Sequence, residues 1–312
     1  MDTGFRSNKS SRFSLVAAGL LGLCAATAQA QLPPDSPKLD VPYGPTHPVI
    51  TQTMLRVAEV GPKDFVIDLG SGDGRINIEA ARERGARGLG MDIDPELVID
   101  SRARAKQWGV ADKVRFIEQN LFDADLSRAT VVTMYLGPSV TPRVAPKLLS
   151  QLRAGTRVVS NNFAMGDWKP DLTLAIRESG TPVHFWWVPA KVAGRWVSVG
   201  EKAGKSPAFS MELRQEYQRV EGEATLEGVE GVWLRDIRLA GTRLMFNLME
   251  KNAGEYRFRR FDGTVKLTAK TAVIEGDLYV DGIGKREQSK LRMVRERADE
   301  PGPPGAWIFT RQ

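Results

Sequence analysis

Cysteine and histidine are almost missing from this chain of 312 residues, which has one Cys and two His. The cysteine, Cys24, sits close to the amino terminus, so the rest of the chain has no disulfide, no cysteine nucleophile and no zinc–thiolate site. His47 and His184 are isolated from each other in sequence, which argues against a two-histidine metal site and gives each a structural role. A membrane-spanning run is missing as well. The apolar stretch from Phe13 to Ala26 is short of the ~20 residues a spanning helix needs. Arg6, Lys9 and Arg12 precede it and Ala28-Gln29-Ala30 follows, the order of an export signal with its cleavage site. Leu23 before Cys24 lacks the small residue of a lipidation site, and Ser11-Arg12 is no twin arginine. The expectation is a signal peptide over 1–30, an exported, periplasmic protein, and no integral membrane span after cleavage. The net charge is +6 with both signs interspersed and no dense Lys/Arg cluster with interleaved aromatics, so no nucleic-acid partner is expected.

What is present centres on Phe65-Val66-Ile67-Asp68-Leu69-Gly70-Ser71-Gly72-Asp73-Gly74-Arg75. The apolar run has the length and branched side chains of a buried parallel strand. Three glycines at alternating positions follow it, then a helical stretch from Ile76 to Arg84 that Gly85 stops. Strand, glycine turn and helix form the first half of a βαβ unit, whose loop lies at the ligand-binding edge of the sheet. A dinucleotide fingerprint would place its third glycine at position 75, which is Arg75. Asp68 at the strand end suits a ligand with a positive charge there, such as the α-ammonium of an amino acid, and bare glycine backbone lets that ligand approach closely. Asp92 ends a second strand 18 residues beyond Gly74, near the ~20-residue separation at which a carboxylate meets ribose hydroxyls. Asp94, before Pro95-Glu96, reads as a helix N-cap.

This pair of segments resembles the class I S-adenosylmethionine (SAM) methyltransferases, whose first motif is D/E-x-G-x-G-x-G. The resemblance implies a Rossmann-like, mostly parallel sheet with helices on both faces and SAM as cofactor, with Asp68, Gly70, Ser71, Gly72 and Gly74 at its amino-acid end. Upstream, Val41-Pro42-Tyr43-Gly44-Pro45-Thr46-His47-Pro48 has too many prolines for regular structure. It is either a plain linker or a stiff arm over the cofactor, with Tyr43 and Thr46 facing the ligand and an amphipathic helix, Val49 to Val60, behind it. V-P-Y-x-P-T, a helix, then D-L-G-S-G-D-G-R narrows the resemblance. It is similar to a bacterial group related to the mitochondrial lysine methyltransferases that modify a subunit of ATP synthase, and more distantly to the histone lysine methyltransferases lacking a SET domain. The family carries an acidic residue near the adenine where this chain has Asn120, whose amide can accept from the amino group and donate to a ring nitrogen, or simply cap a turn. Tyr135, at the end of a strand expected over 129–136, either borders the transferred methyl or is a core aromatic. Relatives read S-H-D-F where this chain has Ser160-Asn161-Asn162-Phe163, so Asn161 enters the acceptor channel without titratable chemistry.

Beyond Val199 the pattern changes to period two: Phe209, Met211, Leu213 and Tyr217, then Leu244, Phe246 and Leu248, then Ile274, Leu278 and Val280. Ala240-Gly241-Thr242 and Asp262-Gly263 read as the turns between strands. The expected organisation is a signal peptide (1–30), a linker and cofactor-covering arm (31–48), a SAM-binding domain (49–199) and a small antiparallel β domain (200–312). The implied activity is methyl transfer from SAM to an amine, a protein lysine or a small molecule, with Tyr135 and Asn161 beside the acceptor. Two other readings stay open, a non-catalytic SAM- or nucleoside-binding protein and a partner-binding protein with a β recognition module. The export signal favours the first of these, since SAM is made in the cytoplasm.

Overall fold

The computed structural model describes residues 40–296 apart from 179, 200–208, 227–228, 230, 253 and 283–284. The expected signal peptide and the start of the linker lie outside the described residues. The described chain opens with α1 (Pro48–Val57), β1 (Phe65–Leu69), α2 (Arg75–Arg84), β2 (Arg87–Asp92), α3 (Pro95–Gln107) and β3 (Val114–Glu118). β4 (Val131–Met134), α4 (Thr141–Gln151), β5 (Arg157–Asn161), β6 (Leu172–Ala175) and β7 (Pro182–Trp187) complete the first layer set. These seven strands form one sheet in the order β3-β2-β1-β4-β5-β7-β6. The first five run parallel, and β7 runs against both of its neighbours. The strand order reverses between β1 and β4, and a crevice at the carboxyl ends of such a pair is where open α/β sheets bind ligands.

Both faces of this sheet are covered. On one, Ile50, Met54 and Leu55 of α1 and Ile76 and Ala80 of α2 pack against Val66, Val131, Val159 and Val183. On the other, Val144 and Leu148 of α4 meet Ile67, Leu69, Val132 and Val158. Helix ends follow local chemistry. Asp94 caps α3 by accepting the Glu96 N–H at 2.9 Å, with Pro95 at the first helical position. Gly85 closes α2 at φ +70°. His47 caps α1, its Nδ1 accepting from the Val49 N–H at 3.3 Å. α1 is shorter than the expected Val49 to Val60, because Glu59 takes φ +48° and turns the chain out of the helix. The strand expected over 129–136 contracts to β4.

The second sheet is β8 (Gly194–Ser198), β9 (Phe209–Glu216), β10 (Arg219–Leu226), β11 (Gly231–Ala240), β12 (Arg243–Asn252), β13 (Glu255–Leu267), β14 (Ala272–Gly282) and β15 (Lys285–Arg295). Its order is β10-β9-β8-β15-β14-β13-β12-β11, antiparallel throughout, and the outer strands β10 and β11 lie side by side, so the sheet curls almost into a barrel. Trp196, Phe209, Met211, Leu213, Phe246 and Phe261 are among the side chains that fill it. Ala240-Gly241-Thr242 is the turn between β11 and β12, with Gly241 at φ +60°. Asp262-Gly263 is not a turn: both residues lie inside β13, with Gly263 opposite Gly276 of β14. A Cβ at 263 would overlap the Phe261 ring and one at 276 the Asp262 carbonyl, so these glycines mark a close approach within the sheet. Tyr217 leaves the alternating face at φ +53°, and its ring stacks on Trp168 at 6.4 Å. With the Gln218 amide donating to the Lys169 carbonyl at 2.6 Å, it ties the β9–β10 turn to the loop after β5.

Candidate active site

A cleft open to solvent on one side lies over the carboxyl ends of β1, β2 and β4. Tyr43, Thr46, Asp68, Gly70, Ser71, Gly72, Asp92, Asn120 and Tyr135 all line it. Gly74 and Asn161 do not. Gly74 is the residue before α2, at φ +77°, and a Cβ there would press on the Phe116 ring and Ser101, so it serves helix–sheet packing. Asn161 is buried at the end of β5, where its Oδ1 has no hydrogen-bond partner.

Carboxyl groups line the floor of the cleft. Asp68 is 1 % exposed and accepts from the Thr133 hydroxyl at 2.7 Å. Burial pushes its carboxyl up to about 8, with the charges of Asp92 and Asp73 adding and the Thr133 hydrogen bond opposing. A cation seated beside it would reverse that balance. Asp92 holds the glycine turn directly: Oδ2 accepts the Gly72 N–H at 2.7 Å and Oδ1 the Asp94 N–H at 3.1 Å. Each oxygen keeps a further lone pair, so the carboxylate is fixed and still able to receive two hydroxyls. Ser71 is buried on the same turn, and its hydroxyl has no protein partner. Gly70 and Gly72 take φ +69° and +52°, and a Cβ on Gly72 would lie 2.5 Å from Tyr43 Cε2. The turn therefore needs glycine for its backbone and for the ring above it.

The segment before α1 lies over this turn, as an arm and not as a free linker. Arg75 Nη1 donates to the Thr46 carbonyl at 2.8 Å, while its Nε and Nη2 grip Asp73 at 2.9 and 2.6 Å. Arg104 adds a second ion pair to Asp73. Burial raises the Asp73 carboxyl, but the hydrogen bonds and charge of Arg75 and the charge of Arg104 hold it below the usual range. The Tyr43 phenol is pushed above its usual value, first by burial and then by the Asp73 charge. Asp73 and Arg75 are site residues that the sequence pattern did not single out. Their signal was the D-G-R that follows the second glycine, which has no role in the glycine turn itself. Asn120 caps its own loop, Oδ1 accepting the Phe122 N–H at 2.9 Å, and it lines the cleft. Tyr135 is half-buried and stacks on Phe163 at 6.0 Å, 14° from parallel. Phe163 was also missed, because a lone aromatic in a loop carries no pattern. His184 is a sheet residue: Nδ1 lies 2.9 Å from the Thr173 hydroxyl, and burial lowers its pKa.

The fold and cleft define a Rossmann-like methyltransferase of the SAM-dependent class. The family model of the ANTKMT methyltransferase domain matches residues 68–172. A protein-lysine N-methyltransferase of Saccharolobus islandicus is 39 % identical over 145 residues, covering 46 % of this chain and 89 % of the relative. A lysine N-methyltransferase of Xenopus laevis, named for an ATP synthase subunit, is 35 % identical over 167 residues, 52 % of this chain and 73 % of the relative. Among solved structures, an RNA methyltransferase from Salinibacter ruber in complex with S-adenosyl-L-homocysteine is 50 % identical, covering 48 % of this chain and 96 % of that one, with a TM-score of 0.46. The chain belongs to the family of SAM-dependent methyltransferases that includes these lysine-modifying enzymes, and its cofactor is SAM.

Proposed function

We propose that the enzyme methylates a lysine ε-amine of a protein. The observation that carries this reading is the pair of fixed carboxylates, Asp68 and Asp92, bracketing a bare glycine turn beneath the Tyr43 arm. Asp68 takes the α-ammonium of the cofactor and Asp92 its ribose diol, while Ser71 and the backbone of the glycine turn complete the amino-acid end. Asn120 meets the adenine through its NH₂ group. Tyr43 and Thr46 close the cleft from above. Bound SAM supplies an electrophilic methyl on a sulfonium. The protein's share is then to hold the acceptor in line with it and exclude water.

Tyr135 and Phe163 form the aromatic wall at the end of β4, beside which the acceptor enters. A lysine there loses solvation, which disfavours its charged form and frees the lone pair. No histidine or carboxylate is required for that step, in keeping with Asn161 and Asn162 where relatives carry His and Asp. Asn161 does not line the cleft; its backbone carbonyl accepts the Phe163 N–H at 2.8 Å. The names of the lysine-modifying relatives support the acceptor class. Methyl-labelled SAM incubated with the protein and a membrane or soluble protein fraction tests it: label recovered as methyllysine supports the proposal. Label on small molecules or RNA moves the acceptor elsewhere, and SAM binding without transfer supports a non-catalytic binder.

We also propose that the protein is exported to the periplasm, on the amino-terminal pattern alone. An intact amino terminus in the cytoplasmic fraction would contradict this.

A further inference from the structure

Tyr217 belongs to the barrel by chain order and to the methyltransferase core by packing. It follows β9 at φ +53°, a left-handed backbone that is costly for any residue with a side chain and persists only where its surroundings impose it. Gln215 imposes it here. Its amide NH₂ donates to the Tyr217 carbonyl at 2.7 Å and to the Ala190 carbonyl at 2.8 Å, and its Oε1 accepts the Val192 N–H at 2.7 Å. The turn is thus tied to the chain that leaves β7. The Tyr217 ring leaves the barrel and packs on the cluster that holds Met134, Met165, Trp168 and Trp186.

Trp168 receives it. The two rings stack at 6.4 Å, 15° from parallel, and Trp186 packs against Trp168 at 6.0 Å. Trp168 is fully buried, yet its indole N–H has no hydrogen-bond partner among the described residues. No polar contact seats this ring, so its place is set by the aromatic rings packed on it. Trp168 forms an antiparallel bridge with Met165, and Ala164 alone separates that bridge from Phe163. Phe163 is gripped from its other side as well. Asn162 before it takes φ +68°, the Phe163 N–H donates to the Asn161 carbonyl at 2.8 Å, and the Ser160 hydroxyl donates to the Phe163 carbonyl at 2.7 Å. The loop after β5 is therefore a short tie, with β5 at one end and the barrel turn at the other.

From this run of contacts we propose that Tyr217 is a positioning residue for methyl transfer. Through Trp168 and the Met165 bridge it fixes Phe163, and with it the wall beside which the acceptor enters. The proposal rests on the reading of Tyr135 and Phe163 as that wall. Tyr217, Trp168 and Phe163 do not line the cofactor cleft, so the effect falls on the acceptor and spares SAM binding. In-line transfer tolerates little displacement, and a shift of about 1 Å caused far from the reacting atoms can lower the rate about a hundredfold. The barrel thereby takes part in the reaction without touching the cofactor cleft.

Methyl-labelled SAM with poly-L-lysine as the acceptor probe tests it in two variants of the full chain. Tyr217→Gly relieves the left-handed backbone and deletes the ring, while Tyr217→Phe keeps the ring. Tyr217→Gly should lower kcat/KM for poly-L-lysine by about tenfold or more. SAM affinity, read by calorimetry, should stay unchanged in both and so report intact folding, and Tyr217→Phe should restore the rate. Added to Phe163→Ala, Tyr217→Gly should have no further effect, because its target is already gone. Additive losses in that pair, or equal losses in Tyr217→Gly and Tyr217→Phe, would overturn the proposal. Hydrogen exchange at the Phe163 amide needs no acceptor. It should quicken in Tyr217→Gly and return to the wild-type rate in Tyr217→Phe; unchanged exchange in Tyr217→Gly would also overturn the proposal. A wild type that leaves poly-L-lysine unmodified, while Phe163 exchange quickens in Tyr217→Gly, counts against the lysine acceptor and supports the tie from Tyr217 to Phe163.

Discussion

Asp92 is the residue on which the cofactor assignment can be tested most sharply. Its replacement by Ala removes the acceptor for two hydroxyls and also the tether on the Gly72 N–H. Hydrogen bonds to a charged group contribute ~1.5–3 kcal/mol each, so SAM affinity should fall by at least about tenfold. The change also frees the Gly72 and Asp94 N–H groups, so the melting temperature should fall as well; calorimetry and thermal unfolding read the two effects separately. Asp68 gives a pH signature. Its folded pKa, about 8, lies above the ordinary 3.8, so the native state holds the proton more tightly than the unfolded chain. The stability that goes with that proton is complete below the ordinary value and is lost as pH rises through about 8. A cationic ligand group prefers the ionised carboxylate, so SAM affinity should rise with pH between about 6 and about 7.5, and Asp68→Asn should flatten that rise. A rise that persists in Asp68→Asn would assign the proton to another group. Both carboxylates were legible from the sequence because strand-end position and spacing are enough to place them. Asp73, Arg75 and Phe163 were not, since each works through a partner distant in sequence: Arg104 at α3, the Thr46 carbonyl in the arm, and the Tyr135 ring.

Among the elements, the glycine turn and the arm form one unit. Gly72 needs a left-handed backbone, which costs a side-chain-bearing residue ~1–2 kcal/mol, and the Tyr43 ring fills the space where a Cβ would go. Gly72→Ala should therefore lift the arm and weaken SAM binding. Arg75→Ala should leave α2 intact and release Thr46, seen as faster hydrogen exchange over residues 41–47 without change in the α2 amides. Unchanged exchange in the arm would mean that Tyr43 holds it without the Arg75 link. Within the barrel, Gly276 faces the Asp262 carbonyl and Gly263 with no space for a methyl. Gly276→Ala should cost about 1–3 kcal/mol in urea unfolding, the usual range for an overpacked site. The helix boundaries set by Asp94 and Gly85 could be read from sequence because each cap is a local interaction. Asp262-Gly263 was misread for the opposite reason: a turn dipeptide and a glycine pair in facing strands look alike until the register with β14 is known.

On the scale of the whole molecule, two sheets divide the work. The mostly parallel one places three strand ends around a cleft; its opening βαβ unit was readable from the sequence, and the reversal between β1 and β4 was not. The antiparallel one was legible as alternation in Phe209 to Leu213 and Leu244 to Leu248. That alternation allows either a small open sheet or a partial barrel, and the meeting of β10 with β11 gives the near-closed form. The Trp168–Tyr217 stack and the Gln218–Lys169 hydrogen bond join the barrel to the loop that carries Phe163. The two parts of the chain thus meet at the loop after β5, beside the proposed acceptor wall. A crystal grown with S-adenosyl-L-homocysteine tests the central claim most directly. The account predicts the ammonium against Asp68, the ribose diol on Asp92, and Tyr43 closed over the glycine turn. A cleft left empty at saturating ligand, or the nucleoside bound away from both carboxylates, would contradict it.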